Sequence, residues 1–147
     1  MEKLYTAKKL IDGLDSWSDI REHLMLSHGF SPVIYDDGGE PSEYEYAVVN
    51  EEMGIIVKNP YIMCSVLSDR DFINIKGICP TLQYNVGEGT RNEYIYIQPV
   101  CNIDDVSRAD IEYLEGLFDK GDFVGLLRDC AKRNVGIYEG NPVMFDW

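Results

Sequence analysis

The stretch TLQYNVGEGTRNEYIYIQPV, residues 81–100, decides the fold class because it has the pattern of two strands joined by a turn. Polar and apolar side chains alternate in its second half, and a period of two is typical of a β-strand with one buried face. Between the halves, GEGTRN supplies the glycines and polar residues of a hairpin turn. The stretch therefore predicts an antiparallel hairpin, with Tyr94 and Tyr96 on the face opposite the buried one.

More strands are predicted on the N-terminal side of this hairpin. FSPVIY (30–35) is the first, and EYEYAVV (43–49) and GIIVKN (54–59) form a second hairpin across a short polar turn. YIMCSVL (61–67) and FINIKGI (72–78) are two further strand-like runs, separated by the turn-rich tetrapeptide SDRD. We therefore expect about six strands, most of them antiparallel.

The N-terminal part of the chain carries helix signals. Thr6 is a candidate N-cap for a helix that ends at Gly13. Ser16, with Asp19 three residues further on, begins a second helix that ends at Gly29. The buried stripe of this second helix is expected to hold Ile20, Leu24 and either Met25 or Leu26.

The helical period returns in the C-terminal part of the chain. Ser107 and Asp110 have the spacing of a capping box, and an apolar face follows them. That face holds Ile111, Leu114, Leu117 and Phe118. A further helix is predicted from Phe123 to about Asn134, and VGIYEG (135–140) is predicted to be a short strand before the tail.

The order of these elements predicts the fold class. Two N-terminal helices, about six strands and two C-terminal helices give an α+β fold, because strands and helices do not alternate along the chain. No repeat or linker-like segment divides the sequence, so we expect one domain over residues 1–147, with helices covering one face of the sheet.

Charge narrows the classes of partner. The chain has 26 acidic and 13 basic residues, a formal net charge of −13. Such a field repels nucleic acid and anionic membrane, so direct binding to either is not expected. A basic protein surface or a cation fits better, although an excess of acid also serves solubility alone.

Cysteine usage bears on the compartment. The four cysteines contain no C-x-x-C pair, and the first residues are charged where a secretory signal would be apolar. No apolar run is long enough to span a membrane. We therefore expect a cytoplasmic protein whose cysteines are free thiols.

The acids concentrate in two blocks. DDGGEPSEYEYAVVNEE (36–52) holds seven acids and no base, and its first half is expected to form a loop. On the helix after Ser107, a second group of acids falls in one stripe opposite the apolar face. The predicted partner-binding residues are Asp36, Asp37, Glu40, Glu43, Tyr44, Glu45, Glu51 and Glu52 in the first block, and Glu112, Glu115 and Asp119 in the second.

Metal and catalytic sites are not predicted. Residues 36–47 fail the template of a calcium loop at its third, sixth and twelfth positions. His23 and His28 are five residues apart, so on one helix they would not share a face. No motif marks a nucleophile or a phosphate-binding loop, and we predict no cofactor, no metal ligand and no catalytic residue.

These observations favour a small acidic, non-enzymatic binding protein. The expected partner is a basic protein, such as a nucleic-acid-binding protein, and the acidic, tyrosine-bearing surface would then imitate nucleic acid, as inhibitors of the immunity or anti-defence type do. One alternative is a small enzyme or ligand-binding domain with a pocket between sheet and helices. Another is a domain that self-associates through strand 94–97, and the sequence leaves the oligomeric state open.

Overall fold

A computed structural model describes residues 2–37, 39–59, 71–86, 93–120 and 130–145. Within these ranges the fold is α+β, with three α-helices, a five-stranded antiparallel sheet and a separate two-stranded sheet. The helices are α1 (Glu2–Leu10), α2 (Trp17–Ser27) and α3 (Arg108–Asp119). The strands are β1 (Ser31–Asp37), β2 (Glu40–Asn50), β3 (Ile55–Lys58), β4 (Leu82–Val86), β5 (Glu93–Pro99), β6 (Val135–Tyr138) and β7 (Asn141–Met144). The predicted class is confirmed, and the numbers of strands and helices differ in detail.

The five-stranded sheet has the order β1-β2-β3-β5-β4. The antiparallel strand pair predicted within residues 81–100 is confirmed as β4 and β5, with Leu82 opposite Ile97, and the predicted turn GEGTRN lies outside the described residues. The β2–β3 hairpin is also confirmed, and Gly54 closes its turn at a φ of +68°. The predicted strand at 72–78 is wrong: Phe72 forms one isolated bridge to Thr81, after which Asn74 and Gly77 take positive φ angles and turn the chain. The run at 61–67 lies outside the described residues.

The N-terminal helices confirm one cap and correct the other. The Ser16 Oγ accepts a hydrogen bond from the Asp19 N–H at 3.1 Å, as a helix N-cap does. Thr6 is not a cap, because α1 already begins at Glu2 and the Thr6 hydroxyl donates to the Glu2 carbonyl one turn back. Sequence alone placed this start one turn too late, since hydroxyl residues bond the backbone both at caps and inside helices.

The larger core lies between α1, α2 and one face of the five-stranded sheet. Its helical side chains are Leu4, Ala7, Ile11, Trp17, Ile20 and Leu24, and its strand side chains include Val48, Ile55, Val57, Leu82, Ile95 and Ile97. Met25 packs against this core, whereas the Leu26 side chain is 77% exposed. Of the two residues predicted as alternatives for the buried stripe of α2, Met25 is therefore the one that belongs to it.

The opposite face of β5 is also buried at Tyr96 and Gln98, whereas Tyr94 is partly exposed, so the expectation of an exposed tyrosine face is corrected at Tyr96. Tyr96 and Gln98 alternate with the core isoleucines, yet both are almost completely inaccessible. The Gln98 Nε2 donates to the Thr81 Oγ1 at 2.9 Å and to the Phe145 carbonyl at 3.1 Å. The predicted alternation along β5 is present. It distinguishes polar from apolar side chains, but it does not distinguish exposed from buried ones.

A second core joins α3 to the C-terminal hairpin of β6 and β7. The capping box at the start of α3 is confirmed, with the Ser107 Oγ and the Asp110 carboxylate each bonded to the other's backbone N–H. Buried side chains of this core are Phe72, Ile78, Val106, Leu114, Phe118, Val135 and Met144. The predicted strand VGIY is confirmed as β6, whereas NPVM, expected as a tail, is its partner β7.

The second predicted C-terminal helix falls mostly on residues 121–129, outside the described ranges. From Cys130 onward the chain is not α-helical, since only the short 3-10 helix Lys132–Asn134 precedes β6. No helix in the described ranges combines the length and the apolarity that crossing a bilayer requires.

Two glycines can be used to test this packing. Gly77 packs against α3, and Gly116, a residue of α3 itself, is the control. Gly77 has a φ of +82°, and a Cβ there would lie 2.5 Å from the Leu117 Cδ2, whereas a Cβ on Gly116 meets nothing within 4 Å. We expect Gly77→Ala to lower the free energy of unfolding in urea by about 1–3 kcal/mol, from backbone strain and crowding. Gly116→Ala should raise it by about 0.5–1 kcal/mol, because alanine favours the helix. Equal stability of the two variants would contradict the packing of α3 on Gly77.

Candidate protein-binding surface

The predicted acidic loop is part of a β-hairpin, so that expectation is wrong. Asp36 pairs with Pro41 and Asp37 with Glu40, and the chain reverses between them with Gly39 at a φ of +96°. Glycine is favoured in such a hairpin turn because it adopts a positive φ without strain. The acids therefore sit on paired strands, where composition had suggested irregular backbone.

Most of this hairpin extends past the sheet. β2 pairs with β3 only from Ala47 to Asn50, whereas its residues 40–44 pair with residues 33–37 of β1. We call residues 33–44 the acidic arm. An isolated two-stranded ribbon is marginally stable in water, so this arm depends on what holds its base.

A wide bulge separates the arm from the sheet. Pro32 lies opposite Val48, but the next residue, Val33, lies opposite Tyr44, so residues 45–47 of β2 have no partner on β1. Two of the bulge carbonyls are satisfied from elsewhere. The Trp17 indole N–H donates to the Glu45 carbonyl at 2.9 Å, and the Asn59 N–H donates to the Tyr46 carbonyl at 2.8 Å.

Helix α2 thus positions the base of the arm. Trp17, at the start of α2, is 9% exposed and belongs to the larger core. Packing in this core therefore holds the indole in the position from which it donates to the bulge. One turn later on the same helix, an Arg21 guanidinium nitrogen lies 4.0 Å from a carboxylate oxygen of Glu43. The acidic block, which contains no base of its own, is therefore partly compensated from another element.

The arm exposes apolar side chains beside its acids. Ile34 is 57% exposed and Tyr44 is 39% exposed. Ile34 pairs with Glu43 and Val33 pairs with Tyr44, so Ile34 and Tyr44 lie on opposite faces of the arm. The Tyr44 ring also meets the Tyr46 ring edge to face, with centroids 5.6 Å apart. Large exposed side chains next to charges are typical of surfaces that a partner covers.

The predicted residues of the first block do not form one patch. The backbone of Asp36, Asp37 and Glu40 forms the tip of the arm, and Glu43, Tyr44 and Glu45 are exposed along β2. Glu51 and Glu52 are exposed as well, but they follow the other end of β2. An 11-residue strand is about 35 Å long, so the acids of this block are spread along β2 and past its end.

The second block lies elsewhere in the fold. Glu112, Glu115 and Asp119 are all exposed on α3, as the helical spacing predicted. α3 packs on β7 and on the turn at Gly77, whereas β1 is the outer strand at one edge of the five-stranded sheet. The Arg108 Nε lies 3.2 Å from a Glu112 oxygen, an exposed ion pair one turn apart. The stripe is therefore a surface separate from the arm.

The two histidines meet, which the sequence reasoning missed. Their Nε2 atoms are 3.1 Å apart, so one ring donates a hydrogen bond and the other accepts it. His28 is the C-cap of α2 with a φ of −131°, so it has left the helical path on which the predicted angular separation was based. Its carbonyl accepts a hydrogen bond from the Asn50 Nδ2 at 3.0 Å. Across the described part of the chain, no cluster of three or more His, Cys, Asp or Glu side chains could hold a metal ion.

A cavity of about 230 Å³ lies between α1 and β4. It is lined by Tyr5, Lys8, Lys9, Asp12 and Tyr84. The Tyr84 hydroxyl is already engaged, since it accepts from the Gly13 N–H and donates to the Leu14 carbonyl. This cavity therefore lies where α1 meets β4, the strand at one edge of the sheet.

The role of Trp17 can be separated from its hydrophobic packing. Trp17→Phe keeps an aromatic ring but removes the donor to the Glu45 carbonyl, so we expect a loss of about 1–2 kcal/mol of stability. Amide hydrogen exchange should become faster in the arm, at Val33 and Tyr44, by more than the global loss of stability explains.

The matched control is Tyr84→Phe. It also removes an aromatic polar atom bonded to backbone, but the atom lies between β4 and the α1–α2 connection. Exchange in the arm should therefore follow only the global stability of this variant. If both variants changed exchange in the arm equally, Trp17 would have no special role at its base.

Comparison with known proteins gives this chain no family. No protein-family model, no curated protein and no solved structure matches it. Its function is accordingly inferred from the contacts, exposures and charges of its own residues.

Proposed function

We propose that this chain is a small acidic, non-enzymatic binding protein that docks its acidic arm onto a basic protein. The observation that carries the proposal is the geometry of residues 33–44. They continue the β1–β2 hairpin beyond the last pair with β3 and leave Ile34 and Tyr44 exposed, with the exposed Glu43 opposite Ile34.

The arm has the composition of a contact surface. Tyrosine contributes large area at low entropic cost and is enriched among residues that dominate binding energy, and an exposed isoleucine gains from burial. The carboxylates around them, including Glu43 and Glu45, would attract a positively charged surface over a distance and speed association. Affinity would then come from the two apolar anchors and the rate of encounter from the acids.

The net charge of −13 directs the choice of partner. A row of carboxylates on a narrow ribbon suits a basic groove, and such grooves are built by proteins that bind nucleic acid. Occupying the groove would exclude its nucleic acid, which is the action of an inhibitor or an immunity or anti-defence protein. The proposal places the protein in the cytoplasm, where thiols of the kind found here stay reduced.

The test is capture of partners from host lysate on four immobilised baits. These are the wild type, Ile34→Ser with Tyr44→Ser, Glu43→Lys with Glu45→Lys, and Glu112→Lys with Glu115→Lys. The last has the same charge change as the third but on α3, so it is the matched control. Capture is performed at about 0.1 M and at about 1 M salt, where the Debye length is about 10 Å and about 3 Å.

We expect the wild type and the α3 variant to retain the same basic protein at low salt and to lose it at high salt. With the identified partner, Tyr44→Ser alone should weaken the dissociation constant about 30-fold, the effect of about 2 kcal/mol at a binding hot spot. The Glu43/Glu45 variant should mainly slow association and flatten its salt dependence.

Two results would contradict the proposal. One is binding whose rate and affinity are the same at both salt concentrations. The other is a partner that the arm variants retain and the α3 variant loses, which would transfer the contact to the stripe of Glu112, Glu115 and Asp119. Circular dichroism of each bait separates loss of contact from loss of folding.

A further inference from the structure

Two cysteines meet where strands β4 and β5 separate. Cys79 precedes β4 by three residues and Cys101 follows β5 by two, and their Sγ atoms are 3.6 Å apart. The sequence places them 22 residues apart, with nothing to indicate contact. The β4–β5 hairpin brings them together, because its antiparallel pairing sets the start of one strand beside the end of the other.

The C-terminal hairpin occupies the fork that opens at this point. On one side the Cys79 N–H donates to the Met144 carbonyl of β7 at 2.9 Å, and on the other Asn102 exchanges two backbone hydrogen bonds with Ile137 of β6. Gly136 allows the close approach, since a Cβ there would lie 2.6 Å from the Cys101 Cβ. The sulfur pair thus sits at the junction of the two sheets.

The environments of the two thiols differ. Cys79 is completely buried, whereas Cys101 is partly exposed. The hydrogen bond from the Cys79 thiol, followed by the charges of Lys58 and Lys3, lowers the pKa of Cys101 against the opposing effect of burial. The same hydrogen bond and deeper burial raise the pKa of Cys79. Tyr138, on β6, is a further titratable group that interacts with the pair, and burial raises the pKa of its hydroxyl.

We propose that Cys79 and Cys101 form an oxidation site at which a hydroperoxide converts the two thiols reversibly into a disulfide. The proposal is independent of the binding function proposed above. It assigns attack to Cys101, the more exposed residue of the pair, and resolution to Cys79, whose sulfur already contacts that of Cys101.

The chemistry balances in two steps. The Cys101 thiolate attacks the hydroxyl oxygen of the hydroperoxide, the S–O bond forms as the O–O bond breaks, and the alkoxide or hydroxide that leaves takes a proton, giving a sulfenic acid on Cys101. The Cys79 sulfur then attacks the Cys101 sulfur and forms the S–S bond. Hydroxide leaves with the proton of the Cys79 thiol as water. The thiols together lose two electrons, which the peroxide gains, and a dithiol reductant reverses the change.

The geometry requires only a small movement. A disulfide has an S–S distance of about 2.05 Å, so the sulfurs must approach by about 1.5 Å from their present 3.6 Å. The bond would close the β4–β5 hairpin into a covalent loop at the point where β6 and β7 enter the fork. Oxidation should therefore strengthen the junction of the two sheets, and it should be transient in a reducing compartment.

Tryptic cleavage makes the site easy to read. Cleavage after Lys76, Arg91 and Arg108 places Cys79 in peptide 77–91 and Cys101 in peptide 92–108, and the other two cysteines fall on separate peptides. The full-length reduced protein is treated with stoichiometric hydrogen peroxide, alkylated and digested without reductant. We expect peptides 77–91 and 92–108 to be linked, and the melting temperature to rise by about 5–10 °C until dithiothreitol is added.

Variants test the assignment of roles. Cys79→Ala should leave a sulfenic acid on Cys101 that dimedone traps, and Cys101→Ser should abolish peroxide consumption at this site. Cys130→Ser is the matched control, because Cys130 is also a partly exposed thiol but contacts the Ile111 carbonyl, and its loss should change nothing.

Three outcomes would overturn the proposal. They are a peroxide-induced disulfide that joins either cysteine to Cys64 or Cys130, sulfinic acid on Cys101 without any disulfide, and dimedone labelling of Cys79 in Cys101→Ser as fast as that of Cys101 in Cys79→Ala. Melting curves of the reduced variants confirm that each is folded before treatment. None of these measurements depends on a binding partner, so the proposal of an oxidation site and the proposal of a binding arm are tested separately.

Discussion

The fold depends on the burial of β5 on both of its faces. Ile95 and Ile97 project into the core under α1 and α2, whereas Tyr96 and Gln98 project to the other side and are equally inaccessible. A buried amide is costly unless it is hydrogen-bonded, so the Gln98 Nε2 needs acceptors supplied to it. Thr81 and the Phe145 carbonyl accept from its Nε2, which ties the end of the chain to the centre of the sheet. The C-terminal hairpin is therefore a necessary second layer of this fold.

Concentrating both layers around β5 leaves the far edge of the sheet less supported. β1 and the first residues of β2 lie beyond the strands that α1 and the C-terminal hairpin cover, and in the described ranges their support comes from α2. The Trp17 indole meets the bulge carbonyl of Glu45, and Arg21 meets the Glu43 carboxylate. A ribbon anchored at its base and carrying exposed apolar side chains is the kind of element that a partner can complete.

Local signals in the sequence predicted local structure well. Both hairpins, the caps at Ser16 and Ser107, and the exposure of the α3 acids followed from spacing, because those features are determined within a few residues. Features set by distant contacts were not predicted. Tyr96 was predicted to be a surface residue because the polarity of its side chain was taken as a sign of exposure. His28 looked remote from His23 because the end of a helix changes the angle between neighbours. The acidic residues of 36–52 looked like one cluster, although they are spread along the full length of β2 and past its end.

The two proposed sites lie towards opposite ends of β2, so they contact different parts of the acidic block. The Val100 N–H donates to the Gly54 carbonyl at 2.9 Å, so the residue before Cys101 is bonded to the turn that carries Glu51 and Glu52. The tip of the acidic arm lies at the other end of β2, roughly one strand length away. A disulfide at Cys101 would consequently affect the Glu51–Glu52 turn more than the arm. A partner held by the arm should bind reduced and oxidised protein alike, whereas a partner held by the turn should distinguish them. The redox state of one cysteine pair thus identifies which half of the acidic block is in contact.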